Sequence, residues 1–175
     1  MEYVINAEET DARAAMVVDI LTAKGWTISF AESCTAGLAA ARLVDVPSAS
    51  NVFNASFVTY SNAAKVKYLG VSEETIANKG VVSEEVAIQM AVGTARANDA
   101  RVGVGITGIA GPTGGSEEKP VGMVCFGFYI DGKTMTSTRK FGNIGRDAVR
   151  AASVEYVYTF LASMLPRLTG MKLEI

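Results

Sequence analysis

The most informative absence in this chain of 175 residues is histidine, which does not occur at all. Without imidazole, a Ser-His-Asp triad, a Cys-His dyad and nearly all zinc sites are excluded. The two cysteines, Cys34 and Cys125, are not at metal-ligand spacing, and in a sequence without a signal-peptide pattern we expect free thiols. We therefore expect no metal and no cofactor. Any hydrolytic chemistry needs another base, and lysine is the leading candidate.

Charge of one sign and long apolar runs are also scarce. The 16 Lys and Arg residues nearly balance the 18 Asp and Glu residues, which leaves a net charge of −2. Surfaces that bind nucleic acid or membranes are normally basic, so neither partner is expected. No apolar stretch approaches the roughly 20 residues that a membrane span needs. These features predict a cytoplasmic protein that acts on a small molecule.

Hydrophobic periodicity and turn residues predict helices that alternate with strands, followed by a late hairpin at Asp131-Gly132. The predicted helices cover residues 6–24, 36–44, 62–69, 72–79, 83–98 and 146–168, and the predicted strands cover residues 26–30, 54–60, 101–107, 121–130 and 133–141. A single domain over residues 1–175 can bury a sizeable core. The pattern predicts the α/β class, as a three-layer α/β/α sandwich with a mixed sheet.

A glycine-rich stretch surrounds the strand predicted at 101–107. Gly103–Gly108 has the G-x-G-x-x-G spacing of dinucleotide-binding turns, but its glycines lie within the predicted strand instead of after it. The match is therefore weak. We favour a loop over Thr107–Gly115, whose backbone N–H groups approach an anion closely, over a mobile surface loop.

Three side chains suggest a serine–lysine site. Ser50 lies in a turn before a predicted strand, Tyr60 ends that strand, and Lys65 follows in the next helix. Lysine acts as a base only when neutral, so its pKa must fall from ~10.4 towards 7, a change of roughly 4 kcal/mol that burial can supply. Tyr60 would relay the proton or orient the amine. These residues alone leave open a surface lysine beside a turn serine.

Several motifs in order along nearly the whole chain resemble the CinA C-terminal domain family. They are Ala31-Glu32-Ser33-Cys34-Thr35, Tyr60-Ser61-Asn62, Ala64-Lys65, Leu69-Gly70-Val71, Gly80-Val81-Val82-Ser83, Ile106-Thr107-Gly108-Ile109-Ala110-Gly111-Pro112 and Glu117-Glu118-Lys119-Pro120-Val121-Gly122. The resemblance implies a nicotinamide mononucleotide deamidase, which hydrolyses the carboxamide to the acid and releases ammonia.

By this resemblance Ser50 is the nucleophile, Lys65 the general base and Tyr60 its partner. The residues that would bind the nucleotide substrate are Ser33, Thr35, Thr107, Gly108, Gly111 and Arg146. The resemblance also implies a homodimer or a higher homo-oligomer.

Two motifs depart from the family's usual pattern. Thr-Gly-Gly is Thr35-Ala36-Gly37 here, and Gly-Ser-Ser is Ser48-Ala49-Ser50. Two other functions stay open. One is a nucleotide-binding or assembly module without turnover, and the other is an amidase for a different nucleotide amide. Ammonia release distinguishes the silent module from either enzyme. If Lys65 does not act with Ser50, Ser33 is the next nucleophile to test.

Overall fold

The computed structural model describes residues 6–171, and the predicted domain limits at residues 1 and 175 lie outside these residues. The helices are α1 (Ala7–Lys24), α2 (Leu38–Val44), α3 (Asn62–Leu69), α4 (Glu73–Lys79), α5 (Glu84–Ala97) and α6 (Arg146–Thr169). The strands are β1 (Ile28–Glu32), β2 (Phe57–Val58), β3 (Val102–Gly108), β4 (Met123–Ile130) and β5 (Lys133–Lys140). A single 3-10 turn, Ala49–Asn51, precedes β2.

The five strands form one mixed sheet in the order β2-β1-β3-β4-β5. The first three strands are parallel, and β4 and β5 are antiparallel additions joined by the predicted Asp131-Gly132 hairpin. Both hairpin residues have positive φ, as a type I′ turn requires. The chain leaves β1 towards β2 on one side and returns to β3 on the other. This reversal creates a switch point at the carboxyl ends of β1 and β3, where open α/β sheets bind ligands.

Helices cover both faces of the sheet. On one face α1, α2 and α6 pack against one another over the main apolar cluster, which includes Phe30, Phe126 and Tyr158. On the other face α5 packs on β1, β3 and β4, and α3 and α4 pack against α5. The predicted three-layer α/β/α sandwich with a mixed sheet is therefore confirmed.

Helix starts follow the capping chemistry that the sequence indicates. The side chains of Asn6, Ser61, Ser72 and Ser83 each accept a hydrogen bond from the backbone N–H three residues later. Gly25 ends α1 in the left-handed conformation that glycine adopts without strain. The Ser61 cap fixes where α3 begins, and it therefore also fixes the direction of the Lys65 side chain.

The glycines of the G-x-G-x-x-G spacing serve packing. A Cβ atom at Gly105 would lie 2.1 Å from the carbonyl oxygen of Ala87, and one at Gly103 would lie 2.1 Å from that of Ala91. Gly127 on β4 meets α5 in the same way, at 2.3 Å from the Ala87 oxygen. The backbone of α5 therefore rests directly on the sheet. Within residues 6–171, no helix is both long enough and apolar enough to cross a membrane.

Candidate active site

The candidate site lies at the switch point of the sheet. Ser33 follows β1 directly, and its backbone N–H donates to the Ile106 carbonyl of β3 at 3.0 Å. The chain then turns through residues 33–37, called here the Ser33–Gly37 turn, before α2 begins. Thr107 and Gly108 end β3 beside this turn. The parallel pairing of β1 and β3 thus places Ser33 next to the glycine loop.

Lys65 is the most unusual side chain of the site, because it is fully buried, at 0% exposure. Its Nζ donates to the carbonyl oxygen of Thr59 at 2.6 Å and to Oγ of Ser33 at 3.1 Å. The Ser61 cap starts α3 just after β2, so the first turn of this helix directs Lys65 back towards the sheet. The structure therefore brings together a serine hydroxyl and a buried lysine amine.

Burial lowers the pKa of Lys65 from 10.5 to about 8. Among the residues that the structure describes, no carboxylate forms an ion pair with this amine. At pH 7 a pKa of 8 leaves about a tenth of the amine neutral, whereas an ordinary lysine is neutral in only a few parts in ten thousand. Lys65 can therefore accept a proton near physiological pH.

Cys34, next to Ser33, lacks the properties of a nucleophile. Burial raises the pKa of its thiol to about 12, so the reactive thiolate is scarce at neutral pH. Cys34 and Cys125 are both free, as the sequence predicts, and both side chains are buried. Ser33 is thus the better nucleophile of the two neighbours.

A cavity of about 210 Å³ gives access to the pair, and its walls include Ser33, Lys65, Thr107, Gly108 and Arg146. It adjoins a larger groove of about 550 Å³ that shares Gly108 and Arg146 with it. The outer wall of this groove is lined by Gly111, Thr113, Gly114 and Lys119. A small reacting group fits the inner cavity, while the rest of a larger molecule can occupy the groove.

Tyr60 contacts Arg146 and not Lys65. Side chains alternate along an extended segment, so buried Thr59 faces inward and Tyr60, 63% exposed, faces outward. The Tyr60 hydroxyl accepts a hydrogen bond from Nη2 of Arg146 at 3.1 Å, and Nη1 of Arg146 donates to the Gly111 carbonyl at 2.9 Å. The expectation that Tyr60 orients the amine is therefore corrected, since the Thr59 carbonyl makes that contact.

Two predicted threonines have different surroundings. Thr107 lines the inner cavity, and its hydroxyl donates to the Val81 carbonyl at 2.9 Å. Thr35 is fully buried within the Ser33–Gly37 turn, and its Oγ1 has no hydrogen-bond partner among the described residues. Its carbonyl accepts a hydrogen bond from Arg150. Thr107 is thus placed to meet a ligand, and Thr35 belongs to the support of the turn.

Ser50 does not meet Lys65 within one chain. It lies exposed on the 3-10 turn, where Ile28 at the start of β1 pairs with Phe53 and donates to the Val52 carbonyl. Lys65 contacts the opposite end of β1, roughly 13 Å away along a five-residue strand. The physical reason is that Ser50 precedes β2 and Lys65 follows it, and the two ends of a strand lie at opposite edges of the sheet. The structure of one chain therefore does not bring the predicted Ser50–Lys65 pair together.

Sequence reasoning missed three contributors. Buried Glu32 accepts backbone N–H bonds, Lys119 lines the groove, and the Thr59 carbonyl fixes the Lys65 amine. Glu32 and Lys119 both occur in the quoted motifs, but nothing in their spacing shows their contacts. A backbone carbonyl carries no side-chain signal at all, so only the structure could reveal it.

The fold and the site first define a class, that of three-layer α/β/α proteins in which a buried lysine contacts a serine at the switch point. The chain belongs to the CinA C-terminal domain family, which matches over residues 10–165.

Individual proteins of known sequence are also similar to this chain. A CinA-like protein from Kosmotoga olearia is 44% identical over 164 residues, which cover 94% of this chain and 39% of that protein. The chain thus spans about two fifths of that relative's length. A protein from Enterobacter agglomerans, named nicotinamide-nucleotide amidohydrolase PncC, is 52% identical over 131 residues, which cover 74% of this chain and 79% of that protein.

Solved structures show the same architecture. The competence/damage inducible protein CihA from Agrobacterium tumefaciens superposes with a TM-score of 0.87 at 38% identity, covering 92% of this chain and 98% of that one. A CinA superfamily protein from Klebsiella pneumoniae gives a TM-score of 0.85 at 32% identity, covering 90% of this chain and 98% of that one. The five-stranded mixed sheet and its helices are thus those of the CinA superfamily.

Replacing Lys65 with methionine tests the lowered pKa through stability. Lysine in an unfolded chain has a pKa of ~10.4, so between pH 8 and 10.4 the unfolded state binds more protons than the folded state. The free energy of unfolding of the unchanged protein should therefore rise across this window, by about 3 kcal/mol relative to Lys65→Met. Urea unfolding of both proteins at pH 7 and pH 10.5 measures the difference.

Lys67→Met is the matched control, because Lys67 is exposed on the same helix. This variant should keep the pH dependence of the unchanged protein. Equal pH dependence in the unchanged protein and in Lys65→Met would show that Lys65 keeps an ordinary pKa.

Proposed function

We propose that this protein is a nicotinamide-nucleotide amidase, which hydrolyses the carboxamide of nicotinamide mononucleotide to nicotinate mononucleotide and ammonia. The name of the Enterobacter agglomerans relative supports this substrate. The observation that carries the reaction type is the 3.1 Å contact between Ser33 Oγ and the fully buried Nζ of Lys65. A serine hydroxyl needs a base, and this amine is the base within reach.

The Thr59 carbonyl prepares Lys65 for this role. A neutral amine has two N–H groups and one lone pair, and the 2.6 Å bond to Thr59 engages one N–H group. This bond orients the amine, so that its lone pair can face Ser33 Oγ. The serine proton then passes to Nζ as Oγ attacks the carboxamide carbon.

The proposed reaction has two halves. In the first, a bond forms between Ser33 Oγ and the carbonyl carbon, the C–N bond breaks, and Lys65 returns its proton to the leaving ammonia. In the second, Lys65 takes a proton from water, hydroxide attacks the ester, and Ser33 recovers its proton as the nicotinate leaves. Overall, one amide and one water yield one carboxylic acid and one ammonia.

The groove beside the cavity suits the nucleotide part of the substrate. Lys119 donates to the Lys79 and Val82 carbonyls, at 2.5 and 2.8 Å, which engages two of the three N–H groups of its ammonium. Arg146 lines the same groove. Two cations and a glycine-rich wall favour an anionic group, and a phosphate ester fits that description.

Separate alanine variants of Ser33 and Ser50 test the nucleophile. Ser33→Ala removes the hydroxyl that Lys65 contacts, so kcat/KM for nicotinamide mononucleotide should fall about 1,000-fold or more. Ser50→Ala changes an exposed turn at the far edge of the sheet and should keep kcat/KM within about threefold. Ammonia release from the purified proteins measures both.

The reverse result would contradict the proposed nucleophile. If Ser50→Ala abolishes turnover and Ser33→Ala does not, the nucleophile is Ser50, and the chemistry lies outside the cavity described. If the unchanged protein releases no ammonia from any pyridine nucleotide amide, the proposed substrate is wrong, and a silent binding module or an amidase for a different nucleotide amide is left.

Removal of the substrate phosphate tests the groove. Charged hydrogen bonds contribute roughly 1.5–3 kcal/mol each, so nicotinamide riboside should have a kcat/KM about 100-fold below that of the mononucleotide. In Lys119→Met this preference should shrink about tenfold, because one cation is lost. Steady-state assays of both substrates with both proteins measure the change.

Lys133→Met is the matched control, since Lys133 is an exposed lysine in the hairpin of β4 and β5. Its preference for the phosphorylated substrate should equal that of the unchanged protein. A preference unaffected by Lys119→Met would place the phosphate outside the groove.

A further inference from the structure

The Ser33–Gly37 turn carries the proposed nucleophile but has an unusual backbone. Ala36 and Gly37 both have positive φ, at 51° and 96°, and an alanine rarely adopts such a conformation. Within the turn, the Ala36 N–H donates to the Ser33 carbonyl at 3.1 Å and the Leu38 N–H donates to the Thr35 carbonyl at 3.2 Å. A turn of this kind persists where its surroundings hold it in place.

Glu32 holds the end of the turn that enters α2. The carboxylate is fully buried and accepts hydrogen bonds from the N–H groups of Gly37, Ala39 and Ala40, at 3.0, 3.1 and 2.9 Å. Gly37 occupies the cap position of α2 and has no side chain to cap the helix. Glu32 therefore performs the capping and ties the turn to the end of β1.

Arg150 holds the middle of the turn from the opposite side. Its Nε donates to the Cys34 carbonyl at 3.1 Å and its Nη2 to the Thr35 carbonyl at 3.2 Å. Arg150 also lies 3.7 Å from the carboxylate of Asp147, but Asp147 is 96% exposed, so this ion pair contributes little. The main role of the half-buried guanidinium is therefore to fix two successive carbonyl groups of the turn.

We propose that Arg150 is a positioning residue, which fixes the peptide planes after Ser33 and so keeps Ser33 Oγ within reach of Lys65. This inference rests on the proposed function, because it assumes that Ser33 reacts. Arg150 is not among the residues that line the cavity or the groove. Its loss should therefore reduce kcat and leave KM nearly unchanged. Lysine cannot replace the planar fork that reaches both carbonyls.

The kinetic experiment compares Arg150→Gln, Arg150→Lys and Arg150→Ala with Asp147→Asn as the control. A misplaced nucleophile costs on the order of 100-fold in rate, so kcat of Arg150→Gln should fall about 30- to 100-fold with KM within about threefold. Arg150→Lys should lie between this variant and the unchanged protein. Asp147→Asn, which keeps both carbonyl contacts, should stay within about twofold.

Two readouts separate positioning from simple support of the fold. Millimolar guanidinium should restore kcat of Arg150→Ala at least about fivefold and should not change Asp147→Asn, because it refills the vacated contact. Hydrogen exchange of residues 33–40 should be faster in Arg150→Gln than in Asp147→Asn. A loss of kcat that follows the melting temperature, a large rise in KM, unchanged exchange, or no rescue would each overturn the proposal.

Failure of the proposed function is distinguishable from failure of this inference. If the unchanged protein releases no ammonia, the exchange measurement is still decisive for the turn, and labelling of Ser33 by a small sulfonyl fluoride replaces kcat. Labelling about tenfold slower in Arg150→Gln, with faster exchange, supports the positioning role without amidase activity. Equal labelling in Arg150→Gln and Asp147→Asn overturns it.

Discussion

The site depends on one interaction, the burial of the Lys65 amine between a serine hydroxyl and a backbone carbonyl. A fully buried lysine is uncommon, because burial disfavours the charged form. Here the shift from 10.5 to about 8 corresponds to about 3 kcal/mol of differential stabilisation. Because no carboxylate within residues 6–171 forms an ion pair with it, the amine is partly neutral near physiological pH. A protein without histidine thus obtains a base that can deprotonate serine.

The rest of the fold maintains this contact. The parallel pairing of β1 and β3 brings Ser33 to the switch point, and the Ser61 cap directs Lys65 into it. The glycines of β3 allow the α5 backbone to rest on the sheet, which closes the opposite face of the core. The geometry of the candidate site and the packing of the core are therefore linked, since the strands that form the core also end at the site.

The sequence predicted the architecture well because its signals are local. The capping serines of the helices, the glycine that ends α1 and the predicted Asp131-Gly132 turn each act within a few residues. The sequence could not show that Ser50 and Lys65 lie apart within one chain, because that depends on which edge of the sheet each residue occupies. The Thr59 carbonyl and the Arg150 contacts depend on tertiary packing, which no local pattern records.

Lys65→Arg, compared with Lys65→Ala, tests the central claim most directly. Arginine keeps the positive charge but cannot release its proton in a protein, so it cannot act as a base. If neutral Lys65 deprotonates Ser33, kcat/KM for nicotinamide mononucleotide in Lys65→Arg should fall nearly as far as in Lys65→Ala. Substrate binding, measured separately, should stay within about tenfold. An arginine variant that keeps most of the activity would contradict the account, because Lys65 would then supply charge and no proton transfer.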